Sequence, residues 1–383
     1  MALKKIVIVG PAHPYRGGIA TFSERLAKQF QAEGKEVVMF TFTLQYPGFL
    51  FPGKTQFSDD PAPEGLEIHR SINSVNPLSW VKTGRAIRRL HPDMVIFAYW
   101  MSFMAPCMGC IAGFLPKNCR RVGLIHNMIP HEPNILDKLL PGYFTGRMDS
   151  FLALSQSVAD DITHFEKKGK PRYCRPHPIY DHYGSLLPRE EALQLLGLDA
   201  PYRYILFFGF IRAYKGLDLL IQAMADERIR QLPIKLVVAG EFYEDEKSYT
   251  DLVSSLGLED RILFFKHFIS NGEVNRYFSA CDLVALPYRS ATQSGVTQVA
   301  FHFEKPMLVT NVGGLGEIVP QGKIGYAVAP EAPAIAEALN DFFVHGRSEE
   351  FCRNIPQEKK KYAWSNLTQA LEEDYRSAQQ HEG

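Results

Sequence analysis

The 383-residue sequence has no excess of either charge, since 42 basic residues balance 42 acidic ones. No overall field therefore draws the chain to nucleic acid, which is excluded as a partner on this ground. The opening MALKKIVIVG has no apolar core ending in a cleavage site. It reads as a first strand, and a cytoplasmic location is expected. The six cysteines are scattered, so no disulfide framework is expected. Cys107 and Cys110 make a CxxC with Cys119 nearby, but the run is apolar and offers no fourth ligand. These thiols read as small buried hydrophobes. No Asp-x-Asp stands at a strand end: Asp59-Asp60, Asp160-Asp161 and Glu244-Asp245-Glu246 fall in a loop or on helices. A required metal ion is not expected, and positive side chains with helix N-termini take over the stabilisation of a leaving group.

One long hydrophobic run needs a decision. Met94 to Leu115 is uncharged and about as long as a membrane span. Pro106, Gly109 and Gly113 interrupt it, and MVIFAYW after a Pro-Asp turn reads as a buried strand followed by an apolar helix. Upstream, Ile68 to Pro92 carries five basic residues and no acidic one, with Lys82, Arg85, Arg88 and Arg89 able to share a helix face. Residues 80–92 are thus the candidate for peripheral contact with an anionic membrane surface.

What is present is an alternation of short β-rich runs with helical patterns, the mark of parallel sheets with crossover helices. KIVIVG, EVVMFTF, MVIFAYW, RVGLIH and SFLALS form one series; YRYILFFG, IKLVVAG, RILFFK, LVALPY and PMLVT form a second. The helices expected in the second are Gly216–Arg230, Tyr249–Leu256, Asn271–Cys281 and Pro333–Phe343. The fold class is α/β, two Rossmann-like doubly wound parallel-sheet domains facing across a cleft, with ligands at the carboxyl ends of the strands. Domains are expected at 1–180 and 181–362, with a hinge across Tyr173–Pro188 and a final helix over 363–380 packing back on the first domain. Leu44 to Glu67 reads as a long loop.

Three segments carry candidate chemistry. In FFGFIRAYKGLDLLI a strand ends at Gly209, a short loop holds Arg212 and Lys215, and a helix follows. Two cations beside a glycine turn and a helix N-terminus suit a diphosphate. In PYRSATQSGVTQVAF a strand runs into a polar turn, Gln293-Ser294-Gly295-Val296, and then a second helix, a further anion site for the distal phosphate and sugar. In the first half, Gly17-Gly18 sits between the first strand and first helix, where backbone amides can approach a ligand. The spacing is not GxGxxG, so no dinucleotide site is read. His126 closes a strand and is placed to hydrogen-bond a substrate; His131 and Glu132 in the next loop are a weaker general-base pair.

With these pieces in order, the sequence resembles the retaining GT-B glycosyltransferases that include bacterial polysaccharide and lipid glycosyltransferases. The resemblance is strongest from Ile205 to Ala329, through GFIRAYKGLDLLIQAM, VVAGEF, CDLVALPYRSATQSG and KPMLVTNVGGLGEIV. It implies that Gly17 and Gly18 approach the donor diphosphate, that Arg212 and Lys215 hold the phosphates, and that His126 touches the donor sugar. It also implies that the base lies near Phe268 and Ile269. Members commonly carry two glutamates seven residues apart after the Pro-Tyr segment; here those positions hold Ala291 and Val299, or Gln293 with Gln298 further on. Either Gln298 replaces the second glutamate at the ribose, or the ribose is held differently.

The expected function is transfer of a hexose-type unit from a nucleotide diphosphate sugar, UDP or GDP linked, to a hydroxyl of a glycan or lipid-linked acceptor. The nucleotide sugar is a co-substrate, and no cofactor is expected. Two other readings stand beside it: a nucleotide-sugar epimerase on the same scaffold, and a non-catalytic glycan-assembly partner.

Overall fold

The structure is a computed structural model that describes residues 2–47, 56–58, 61–128, 135–291 and 294–381. The chain divides into two compact units, Met1–His177 with Trp364–Gly383, and Pro178–Ala363.

In the first unit the order is β1 (Lys5–Val9), α1 (Gly18–Ala32), β2 (Glu36–Leu44), β3 (Glu67–Asn73), α2 (Pro77–Arg89), β4 (Met94–Tyr99), α3 (Ala105–Gly113), β5 (Arg120–Ile125), α4 (Ile135–Arg147), β6 (Ser150–Ala153), α5 (Gln156–Phe165) and β7 (Arg172–Cys174). All pairs are parallel, in the spatial order β3-β2-β1-β4-β5-β6-β7. Every residue of β4 is buried, as a central strand covered by helices on both faces requires, so its sequence is an unbroken apolar run. Met94–Leu115 therefore supplies a core strand and α3, and no described helix is long and apolar enough to cross a membrane.

The second unit holds α6 (Arg189–Leu196), β8 (Arg203–Phe208), α7 (Leu217–Met224), α8 (Glu227–Arg230), β9 (Ile234–Ala239), α9 (Lys247–Ser255), β10 (Ile262–Phe265), α10 (Val274–Ala280), β11 (Leu283–Leu286), α11 (Gly295–His302), β12 (Met307–Thr310), α12 (Leu315–Ile318), β13 (Gly325–Val328), α13 (Ala332–Val344) and α14 (Ser348–Lys359). Its sheet runs β10-β9-β8-β11-β12-β13, again parallel. The single helix expected over Gly216–Arg230 is two, because the Asp226 carboxylate accepts from the Arg228 N–H at 2.9 Å and caps a new start.

The last helix, α15 (Trp364–His381), belongs to the first unit. Trp364, Leu367, Ala370, Leu371 and Tyr375 join the apolar cluster of Ile6, Ile8, Phe22 and Phe30. Asp374, almost fully buried, accepts from Arg120 Nε at 2.9 Å and from Ser150 Oγ at 2.6 Å, tying the helix to β5 and β6.

In both sheets the chain reverses direction of winding at one strand, and ligands of such sheets sit outside the strand ends at that point. In the first unit this is between β1 and β4; in the second it is between β8 and β11. The loops after β8 and β11 are the ones carrying Arg212, Lys215 and Ser294.

Candidate active site

The site of the second unit grows from the end of β8. Pairing with the neighbouring chain continues past the strand: Gly209 N–H donates to Ala239 O at 2.9 Å, Ile211 N–H to Glu241 O at 2.8 Å, and Tyr243 N–H to Ile211 O at 3.1 Å. This ladder fixes the backbone that leads into a single 3-10 turn, Ala213–Lys215. Gly209 has φ +96°, and a Cβ there would stand 3.2 Å from Lys215 Nζ and 3.9 Å from Val296 Cγ2. Gly216, at φ +66°, backs onto Pro287 O, which a Cβ would approach to 2.0 Å. Only glycine fits either position. The absence of side chains lets the β8 loop press against the β11 loop.

Lys215 is 8% exposed, and no carboxylate pairs with it among the described residues. Its ammonium lies 5.8 Å above the Tyr288 ring. Burial, helped by the nearby Arg212 charge, lowers its pKa to about 8. Arg212 is exposed, its guanidinium 5.0 Å above the Tyr243 ring, and it too has no carboxylate partner among the described residues. Two cations held by aromatic faces and lacking counter-charges form a positive corner.

Helix α11 opens at the same corner. Ser294 is its N-cap, with Oγ accepting from the Val296 N–H at 3.3 Å. Gly295, the first helical residue, is exposed. Val296 is near Gly209 and so near Lys215. Gln298, 3% exposed, has an Oε1 with no hydrogen-bond partner among the described residues, whereas Val299 is buried in the apolar core. A buried amide carbonyl without a donor is costly unless a ligand supplies one. Gln293 lies outside the described residues, as do His131, Glu132 and Asp59-Asp60.

Phe268 is 55% exposed in the loop after β10, while its neighbour Ile269 is buried in the core. In the first unit Gly17 is the N-cap of α1, at φ +118° and without a side-chain cap, and Gly18 begins the helix; both are exposed. His126 follows β5, its N–H donating to Tyr99 O at 2.8 Å and its ring 4.8 Å edge-on from Phe22. Burial and the neighbouring His177 lower its pKa to about 3, and Nε2 has no partner among the described residues. His126 is therefore a neutral imidazole. The structure thus gathers Gly209, Lys215 and Val296 into one corner of the second unit, and places Gly17 and Gly18 at the start of α1 and His126 at the end of β5 in the first. The sequence reading gave no role to Tyr288 and Tyr243, although both lie in the quoted blocks or beside them; an aromatic residue just after a strand beside a cationic loop was the available signal.

Residues 188–362 match the family described as glycosyl transferases group 1, and residues 16–173 match Glycosyltransferase Family 4. With two parallel-sheet α/β domains, one behind each match, the chain has the fold of the GT-B glycosyltransferases. It carries a family 4 domain in its first unit and a group 1 domain in its second. A D-inositol 3-phosphate glycosyltransferase of Corynebacterium urealyticum is 30% identical over 202 residues, 51% of this chain and 47% of that protein. The chain thus matches about half the length of such relatives. An uncharacterized glycosyltransferase of Methanocaldococcus jannaschii is 27% identical over 387 residues, 98% of this chain and 99% of that protein. Among solved structures, Anabaena HepE in complex with UDP-glucose has a TM-score of 0.71 at 16% identity, covering 97% of this chain and 99% of its own. Sucrose-phosphate synthase from Thermosynechococcus elongatus has a TM-score of 0.69 at 17% identity, with 98% and 99% covered. At such identities the likeness is one of fold.

A buried, unpaired ammonium destabilises the protein that holds it. The folded pKa of Lys215, about 8, lies below the ordinary 10.5, so the unfolded chain binds a proton that the folded one does not between those values. Stability therefore rises with pH across that window, and below pH 8 the full penalty, roughly 3 kcal/mol by the pKa difference, is present. Lys215→Met is expected to stabilise the ligand-free protein by about 1–3 kcal/mol at pH 7, with the gain fading toward pH 10.5. Urea unfolding across this pH range checks it; a variant less stable than wild type at pH 7 contradicts the assignment.

Proposed function

We propose that the chain is a retaining hexosyltransferase that moves a sugar from a nucleotide diphosphate sugar, UDP or GDP linked, to a hydroxyl of a glycan or lipid-linked acceptor. The observation that carries this reading is the Lys215 ammonium, buried without a carboxylate among the described residues and set beside Gly209 and the start of α11. A diphosphate supplies the missing negative charge, and Arg212 and the first amides of α11 meet its outer oxygens. The structures of HepE in complex with UDP and with UDP-glucose, which share this fold, support a nucleotide-sugar donor.

In the proposed reaction the bond between the anomeric carbon and the diphosphate oxygen breaks as the acceptor oxygen bonds to that carbon. The acceptor proton passes to the leaving phosphate oxygen, so no protein base is needed. Lys215 and Arg212 offset the charge that develops on the diphosphate, which matters most in a site where water is scarce. Gly17 and Gly18 bring backbone amides to the diphosphate, and neutral His126 offers Nε2 to a sugar hydroxyl. The base lies by Phe268 and Ile269, the distal phosphate and sugar at Gln293–Val296, and Gln298 Oε1 accepts from a ribose hydroxyl. No metal or cofactor enters the scheme.

Alanine at Arg212 or Lys215 should lower turnover by about 100-fold, the scale of losing one donor to a developing oxyanion. Radiolabel transfer from a panel of nucleotide sugars measures this, and NMR of the product reads the anomeric configuration. Unchanged turnover in both variants removes the phosphate assignment; an inverted product removes retention; conversion of donor without acceptor favours the epimerase reading.

For the membrane, α2 offers a specific face. Lys82, Arg85, Arg88 and Arg89 are exposed while Thr83, Gly84 and Ile87 are buried, so the helix presents a basic stripe outward. We infer that this stripe docks on anionic lipid. Flotation with phosphatidylglycerol vesicles should recover the wild-type protein at low salt, and replacement of the four basic residues by glutamine should abolish recovery; equal recovery of both rejects the contact.

A further inference from the structure

Tyr288 stands where the two loops of the phosphate corner meet. Its ring lies 5.8 Å below Lys215 Nζ, and its hydroxyl is 3.2 Å from Ser294 Oγ, the N-cap of α11. Its carbonyl accepts from Thr310 Oγ1 at 2.5 Å, fixing it to the end of β12. The tyrosine is 3% exposed, so it is a wall of the corner rather than a group that a ligand contacts directly.

The surrounding contacts hold this arrangement. The Tyr214 ring meets Tyr288 edge-on at 6.0 Å, and the Arg289 N–H donates to Tyr214 O at 2.7 Å. The Arg289 guanidinium pairs with Asp218 at 2.6 Å. Together with the close approach of Gly216 to Pro287 O, these contacts fasten the loop after β8 to the loop after β11. A lysine has four rotatable side-chain bonds and does not hold one position unless something seats it. No carboxylate does so here among the described residues; the aromatic face is what lies within reach of its charge.

We propose that Tyr288 is a positioning residue whose ring seats the Lys215 ammonium beside the N-terminus of α11. The proposal rests on the phosphate reading above and deepens it: the two halves of the diphosphate grip are placed relative to each other by one side chain. A carboxylate in that place would neutralise Lys215 and compete with the ligand. An aromatic face holds the ammonium while leaving its charge available.

Pyrophosphate, which carries neither base nor sugar, isolates this effect. Its dissociation constant is measured by calorimetry on the full chain at pH 7 for wild type, Lys215→Met, Tyr288→Leu and the double variant. Lys215→Met weakens pyrophosphate at least tenfold if the phosphate reading holds. Tyr288→Leu weakens it about tenfold in the wild-type background, the scale of a desolvated cation–aromatic contact, and less than twofold when Lys215 is already methionine. Equal losses in both backgrounds mean that Tyr288 acts only as packing, and overturn the proposal while leaving the phosphate reading in place. No loss in Lys215→Met overturns both.

Leucine at a buried position can disturb folding, so an isosteric comparison accompanies it. Tyr288→Phe keeps the ring and is expected to bind pyrophosphate within about threefold of wild type. Pentafluorophenylalanine at position 288 keeps the shape but reverses the charge distribution of the ring face, and is expected to weaken binding a further fivefold or so relative to Tyr288→Phe. Equal binding by these two proteins overturns the seat.

Discussion

The second unit is arranged around an ammonium buried without a counter-charge. Lys215 costs stability where it stands, since the interior penalises its charged form and nothing acidic is beside it among the described residues. Several features of the neighbourhood follow from that constraint. Gly209 leaves the space the side chain needs, Gly216 lets the two loops touch, and Tyr288 offers a face that attracts a cation without neutralising it. Strain of this kind is retained where a ligand relieves it.

The same constraint accounts for the shape of the proposed chemistry. A departing nucleoside diphosphate is a good leaving group only if its charge is met as it develops. In the proposed scheme fixed cations and the start of a helix meet that charge. Neutral His126, kept from protonation by its surroundings, is suited to accept or donate a hydrogen bond but not to serve as a cation. The departure at Ala291 and Val299 has a consequence in the packing: Val299 is committed to the core, so the unpartnered carbonyl available on α11 among the described residues is that of Gln298.

Much of the fold was legible because central parallel strands are buried on both faces and read as unbroken apolar runs; β1, β4, β8 and β11 all declare themselves this way. The strands that escaped notice are β3, β7 and β13, all next to the edges of their sheets or at them. β3 is half exposed and carries His69 and Arg70, and β7 has only 3 residues, so neither shows an apolar run. The glycines and cations of the site were legible from their place between strand and helix. The burial of Lys215 was not, because it comes from the β11 loop, distant in sequence, folding over it. The role of Tyr288 was hidden for the same reason: its partners Lys215, Ser294 and Thr310 lie on three different loops and strands.

The most direct test of the central claim is the melting temperature of the full chain with nucleosides and with their diphosphates. A ligand that binds only the folded state at 100 times its dissociation constant adds about 2.7 kcal/mol of stability, a shift of several degrees. The buried ammonium predicts that at least one of UDP, GDP or ADP raises the melting temperature while the matching nucleoside does not, and that Lys215→Met, more stable when empty, loses this response. If no diphosphate shifts the wild-type protein, or if the variant responds as strongly as the wild type, Lys215 is not the phosphate ligand and the account is wrong.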